Sequence, residues 1–162
     1  MRRLHRGDLS APVLAIIVTI GVIAAGLVLM AWFWWFAPQA GKTGALQILG
    51  TPSIVKEKID GTDHWVAYIS VRNAGNERIT VIGVTVKGVS MSKYSYVTSA
   101  TNGGWILLPN NKYTDDLEPG QSGIIKAKAD TDTLDIQVTE YAVPCIIQTN
   151  YGVFTVTLSV VR

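Results

Sequence analysis

The sequence predicts a long hydrophobic α-helix at the N-terminus, followed by an all-β head of immunoglobulin-like sandwich size. Three observations predict it. Residues 11–36 contain no charged side chain and a single hydroxyl, that of Thr19. From residue 45 onward apolar side chains recur at alternate positions, the period of a strand with one face in a core. Turn-forming runs, Asn73-Ala74-Gly75-Asn76 and Glu118-Pro119-Gly120-Gln121, separate the alternating stretches.

The chain of 162 residues divides into a leader at 1–7, a helix at 8–37, a linker at 38–44 and the head at 45–162. The leader MRRLHRG carries Arg2, Arg3 and Arg6, with Asp8 just after it. Basic residues beside an apolar span stay cytoplasmic, which places the head outside. Ser10 suits a helix N-cap, and Pro12 is tolerated only in a first helical turn. The run at 11–36 is about 39 Å long as a helix, against a hydrocarbon core of ~30 Å. It exceeds the roughly 7–15 apolar residues of a secretory signal peptide, and no small-X-small cleavage site follows it.

Two features within the helix bear on what it does. Gly21, Ala24, Ala25 and Gly26 are small side chains that let helices approach closely, and close packing drives association where water is absent. Trp32, Trp34 and Trp35 crowd one end with Phe33 and Phe36, the chemistry of a membrane–water interface or of packing against protein. Pro38 and Gly41 are expected to end the helix.

In the head, the clearest alternation is at 152–161, where Phe154, Val156, Leu158 and Val160 oppose Thr155, Thr157 and Ser159. Strands are also expected at 65–72, at 79–87 with Ile82, Val84 and Val86 on one face, and at 136–141. Weaker signals lie at 45–49, 53–59, 93–98, 104–108 and 122–129. Seven to nine short strands at this spacing suit a sandwich.

Composition bounds the chemistry. Eleven Lys or Arg from Lys42 onward meet eleven acids from Glu57 onward, so the head is near neutral and the net charge of +2 comes from the leader. No basic cluster points to nucleic acid. Cys145 is the only cysteine, which excludes an internal disulfide; its apolar neighbours predict a buried, inert thiol. His64 is the head's only histidine and is far from Cys145 in sequence, which disfavours a catalytic dyad. Asp130-Thr131-Asp132-Thr133-Leu134-Asp135 resembles half a calcium loop but lacks the glycine and distal glutamate, so a solvated loop is the expectation. Asp115, Asp116 and Glu118 read the same way. No phosphate loop or paired-cysteine spacing occurs. The expectation is a non-enzyme without cofactor or metal.

The N-terminal residues carry a resemblance. MRRLHRG followed by LSAPVLAIIVTIGVIAAGLVLMAWFWWF resembles the class III signal sequence and helix start of archaeal type IV pilins and archaellins. In the head, VRNAGNERITVIGVTV and LEPGQSGIIKA are similar in style to archaeal surface β-sandwiches. The resemblance implies cleavage between Gly7 and Asp8 by a prepilin peptidase, retention of the helix, and assembly into a homopolymeric surface filament by pilus machinery. Before assembly the helix would sit in the cytoplasmic membrane. The competing expectation is a monomeric signal-anchored surface protein whose head binds a solute or partner.

Overall fold

A computed structural model describes residues 10–40, 42–94 and 103–162, with residues 36–40 described by backbone alone. The leader, the Gly7–Asp8 junction, Gly41 and the expected strand beyond Tyr94 lie outside the described residues. The chain forms two compact units, divided between Lys42 and Thr43.

The first unit holds one helix, α1 (Ala11–Ala40). The Ser10 carbonyl accepts from the N–H groups of Val13 and Leu14, which fixes the first turn around Pro12. The Thr19 hydroxyl donates to the Ala15 carbonyl at 2.8 Å, so the only hydroxyl of the apolar run is satisfied within the helix. The far end corrects the expected linker at 38–44: the helix runs through Pro38. Pro38 removes one hydrogen bond to the turn before it, and only Gln39 and Ala40 follow, so the loss falls where the helix is ending anyway.

The second unit is a β-rich domain built on six long strands. These are β1 (Leu46–Ile59), β2 (Thr62–Asn73), β3 (Ile79–Val86), β9 (Ser122–Asp130), β10 (Ala142–Thr149) and β11 (Gly152–Val161). Short strands β4 (Val89–Ser90), β5 (Ser92–Lys93), β6 (Ile106–Leu107), β7 (Tyr113–Thr114) and β8 (Asp116–Leu117) join them. The long strands pair in the order β3-β10-β11-β1-β2-β9. All neighbours are antiparallel except β1 and β11, which run parallel with Ile54 opposite Val160.

The sheet curls because short strands tie its two ends together. The outer edge of β9 is shared by β6 and β5, and the outer edge of β3 by β8 and β4. Since β4 leads directly to β5 and β7 to β8, the segments at 89–93 and 113–117 each connect the β3 side to the β9 side. Ile54, Ile69, Val71, Val84, Ile125, Ile147 and Leu158 are wholly buried inside the curl. Each contributes about 1.5–3 kcal/mol of burial.

Local backbone chemistry explains where the sequence reading holds and where it shifts. The expected strands at 45–49 and 53–59 are one strand, β1, interrupted by a register shift between Leu49 and Ser53 where Gly50 takes φ +68°. Asp60-Gly61 and Lys87-Gly88 both have positive φ at each residue, the two-residue turns that match strand twist. Two corrections stand. Ile82 does not share a face with Val84 and Val86 but is 61% exposed, because the β3–β10 register slips by one residue between Val81 and Gly83. Residues 136–141 are turn and irregular chain rather than strand; the strand is β10, immediately after them. The Arg162 guanidinium donates to the carbonyls of Gln137, Val138 and Glu140, so these residues serve the C-terminus instead of a ladder.

Candidate functional site

Side chains of α1 from Ala11 to Trp35 are exposed, with a mean hydropathy of 2.9 and no share of the span buried. This is a helix long and apolar enough to cross a membrane, and it is apolar all round rather than on one stripe. At about 100° per residue, Gly21, Ala24 and Ala25 fall within one arc of the helix, with Val28 and Trp32 continuing it. Gly26 lies about 140° away from Gly21, so it does not join that arc. Trp35 falls near the same side and Trp34 on the opposite one. Trp32, Trp34 and Trp35 are 56%, 81% and 73% exposed. A Cβ built on Gly21 or Gly26 meets no atom within 4 Å, so both positions are open space in a single chain.

The head holds one polar cluster that the sequence did not reveal. The Tyr68 hydroxyl donates to Glu57 at 2.5 Å across β1 and β2. The Lys126 ammonium on β9 lies over both the Tyr68 ring, at 5.0 Å, and the Tyr94 ring, at 5.2 Å. Burial, reinforced by the Glu57 carboxylate, raises the phenols of Tyr68 and Tyr94, and burial also raises Tyr113. Beside them Lys93 pairs with Asp115 at 2.7 Å and lies 5.9 Å from the Trp105 ring. Asp115 also accepts from the Trp105 backbone N–H at 3.0 Å. Every charge here has an opposite charge, hydrogen bond or ring beside it, so the cluster holds Tyr94 and Trp105 against the sheet. Cross-strand pairs such as Tyr68 opposite Lys126 become visible only once register is known.

The other sequence candidates resolve simply. Thr133 donates from backbone and hydroxyl to the Asp130 carbonyl, which makes 130–134 a closed turn. Nδ1 of His64 lies 2.7 Å from the Asp130 carboxylate but off the line of a hydrogen bond. Asp115 and Asp116 serve Lys93 and the Thr80 hydroxyl, and Glu118 pairs with Arg78 at 2.7 Å. Lys87 holds the Glu140 carboxyl below its usual range, by hydrogen bond and charge. No group of three or more metal-ligating side chains occurs among the described residues.

Cys145 is fully buried on β10, and desolvation pushes its thiol up to about 12. We expect less than about a tenth of the thiol to react with an exposed-thiol reagent in the native chain over a period that labels it completely in denaturant. Rapid native labelling, read by intact mass, would show that β10 opens locally.

Neither a protein-family model nor a curated protein matches this chain.

Proposed function

We propose that the chain is a structural subunit of an archaeal type IV pilus-like surface filament. It polymerises through α1, and the β-heads, packed as an immunoglobulin-like sandwich, coat the filament and are available for adhesion. The observation that carries this reading is the helix: about seven turns of it, from Ala11 to Trp35, expose apolar surface on every side and present small residues on one arc. Lipid covers such a helix before assembly, and copies of the same helix cover it afterwards.

The leader supplies the second support. Arg2, Arg3 and Arg6 hold the N-terminus inside, where a prepilin peptidase cuts after Gly7, so the mature chain begins at Asp8 and keeps the helix. Mass spectrometry of material sheared from the cell surface tests this together with electron microscopy. Filaments whose subunit begins at or within a few residues of Asp8 are the expected result. A chain retaining Met1 and staying in the membrane fraction points instead to the monomeric anchored protein. A chain beginning after residue 36 overturns both.

A further inference from the structure

One side of the head is without charge. Residues 141–161, covering β10 and β11, contain no Asp, Glu, Lys or Arg, and neither does β3 at 79–86. These three strands are neighbours in the sheet. Their outer face presents Ile82, Ile146 and Val153, with Thr85 and Thr155 flanking Ile146 in register. The strands at the other end of the path differ sharply: β1, β2 and β9 carry Lys56, Glu57, Asp63, Arg72, Lys126 and Lys128. Uncharged polar side chains such as Thr85 and Thr155 meet water readily, but the exposed Ile82, Ile146 and Val153 among them gain from being covered.

We infer that this uncharged face of β3, β10 and β11 is the surface by which the head of one copy contacts the head of the next; the inference rests on the filament reading above. The chain itself offers the counter-surface. A groove of about 420 Å³ near the β9 end of the sheet is lined by Leu49, Leu107, Leu108, Pro109 and Ile124, and among the described residues no charged side chain lines it. Two uncharged surfaces at different ends of one sheet fit each other between copies without burying an unpaired charge. Such a contact joins two different patches, so it passes from copy to copy instead of closing into a two-fold dimer.

Area sets its strength. Three strands about 4.8 Å apart and eight residues long cover roughly 370 Å², less than half of the about 800 Å² per partner in a stable complex. Isolated heads therefore stay apart. Once helices hold neighbouring copies together, the local concentration reaches about millimolar and the small face is enough to fix how heads pack.

The test uses the full chain in cells that make filaments. Val153→Lys places a charge on an exposed position of the face and is expected to cut filament number at least about tenfold. Val138→Lys, at a 79% exposed position in the 136–141 segment, is expected to leave filaments unchanged. Protease resistance of the head in membrane fractions checks that each variant folds. Independently, benzoylphenylalanine in place of Thr155 is expected to give, on irradiation, a product of twice the subunit mass that contains only peptides of this chain. Normal filaments from Val153→Lys overturn the inference. So does a photoproduct containing another protein or a lipid, or none at all. Absence of filaments from the unaltered chain overturns the filament reading itself, and this contact with it.

Discussion

Asn73→Ala is expected to destabilise the head by about 3 kcal/mol. Asn73 closes β2 and is wholly buried. Its Nδ2 donates to the carbonyls of Glu77 and Leu117 at 2.7 and 2.9 Å, and its Oδ1 accepts from the Gly75 N–H at 2.9 Å. Its backbone binds the Glu118–Gln121 turn on both sides, through Gln121 O and the Gly120 N–H. One side chain therefore joins the end of β2, the turn that follows it and the strand β8 that ties the sheet ends together. Alanine leaves three backbone groups without this partner, each costing about 1–3 kcal/mol where water does not reach. Partial relaxation keeps the sum below the simple total. The melting temperature of the chain in detergent, followed by its β-sheet circular dichroism, should fall by about 10 °C or more. Asn76→Ala, in the same turn but exposed, should cost no more than about 1 kcal/mol. A smaller fall for Asn73→Ala than for Asn76→Ala would show that the tie between β2 and β8 does not limit stability.

That knot also shows what could be read from the sequence and what could not. Asn73-Ala74-Gly75-Asn76 was legible as a turn because Asn and Gly bring local hydrogen bonding and conformational freedom. Its reach to Leu117 was not legible, since that contact spans forty-four positions and depends on sheet order. The same division runs through the rest of the chain. The apolar helix and the alternation of β11 depend on composition and period alone, and they appear where the sequence places them except at the far end of the helix, which runs on through Pro38 to Ala40. Ile82 departs from the alternation because one extra residue in β3 reverses which side a side chain faces, and nothing local to 79–86 announces the slip. β10 was missed as a strand because Pro144 and its apolar neighbours hid a strict alternation, with Val143, Cys145 and Ile147 inward. Pro144 is tolerated there although β10 is flanked on both sides; its carbonyl still accepts from the Lys87 N–H. The uncharged face of β3, β10 and β11 lay in plain view as a composition, but only the pairing order shows that the two uncharged segments are adjacent. The tyrosine–lysine cluster at Tyr68, Tyr94 and Lys126 required both register and the crossing of β5 onto β9.

Gly21→Leu is expected to abolish filaments while leaving the subunit in the membrane. The two halves have separate causes. In a single chain the substitution meets nothing, since the space around the Gly21 Cβ position is empty. Leucine favours a helix over glycine by about 0.8–1 kcal/mol and dissolves in lipid at least as well. Insertion and helix stability are therefore preserved or improved, and any loss must arise between copies. On the filament reading, Gly21 with Ala24 and Ala25 is the arc where helices of neighbouring copies approach most closely, and a side chain of leucine size there would force them apart. Overpacking of this kind costs about 1–3 kcal/mol per contact, and 1.4 kcal/mol is tenfold in an association constant. Every subunit repeats the contact, so the loss compounds along a filament. Val22→Leu, at an exposed position on a different side of α1, changes volume little and should assemble normally. Electron microscopy of cells carrying each variant, with membrane fractions blotted for the subunit, gives both readouts. Normal filaments from Gly21→Leu would place Gly21 outside any tight helix contact. Loss of the subunit from the membrane, rather than of filaments alone, would mean that the substitution acts on insertion after all. If the unaltered chain makes no filaments, the helix is an anchor, and the small residues at 21, 24 and 25 pack against nothing.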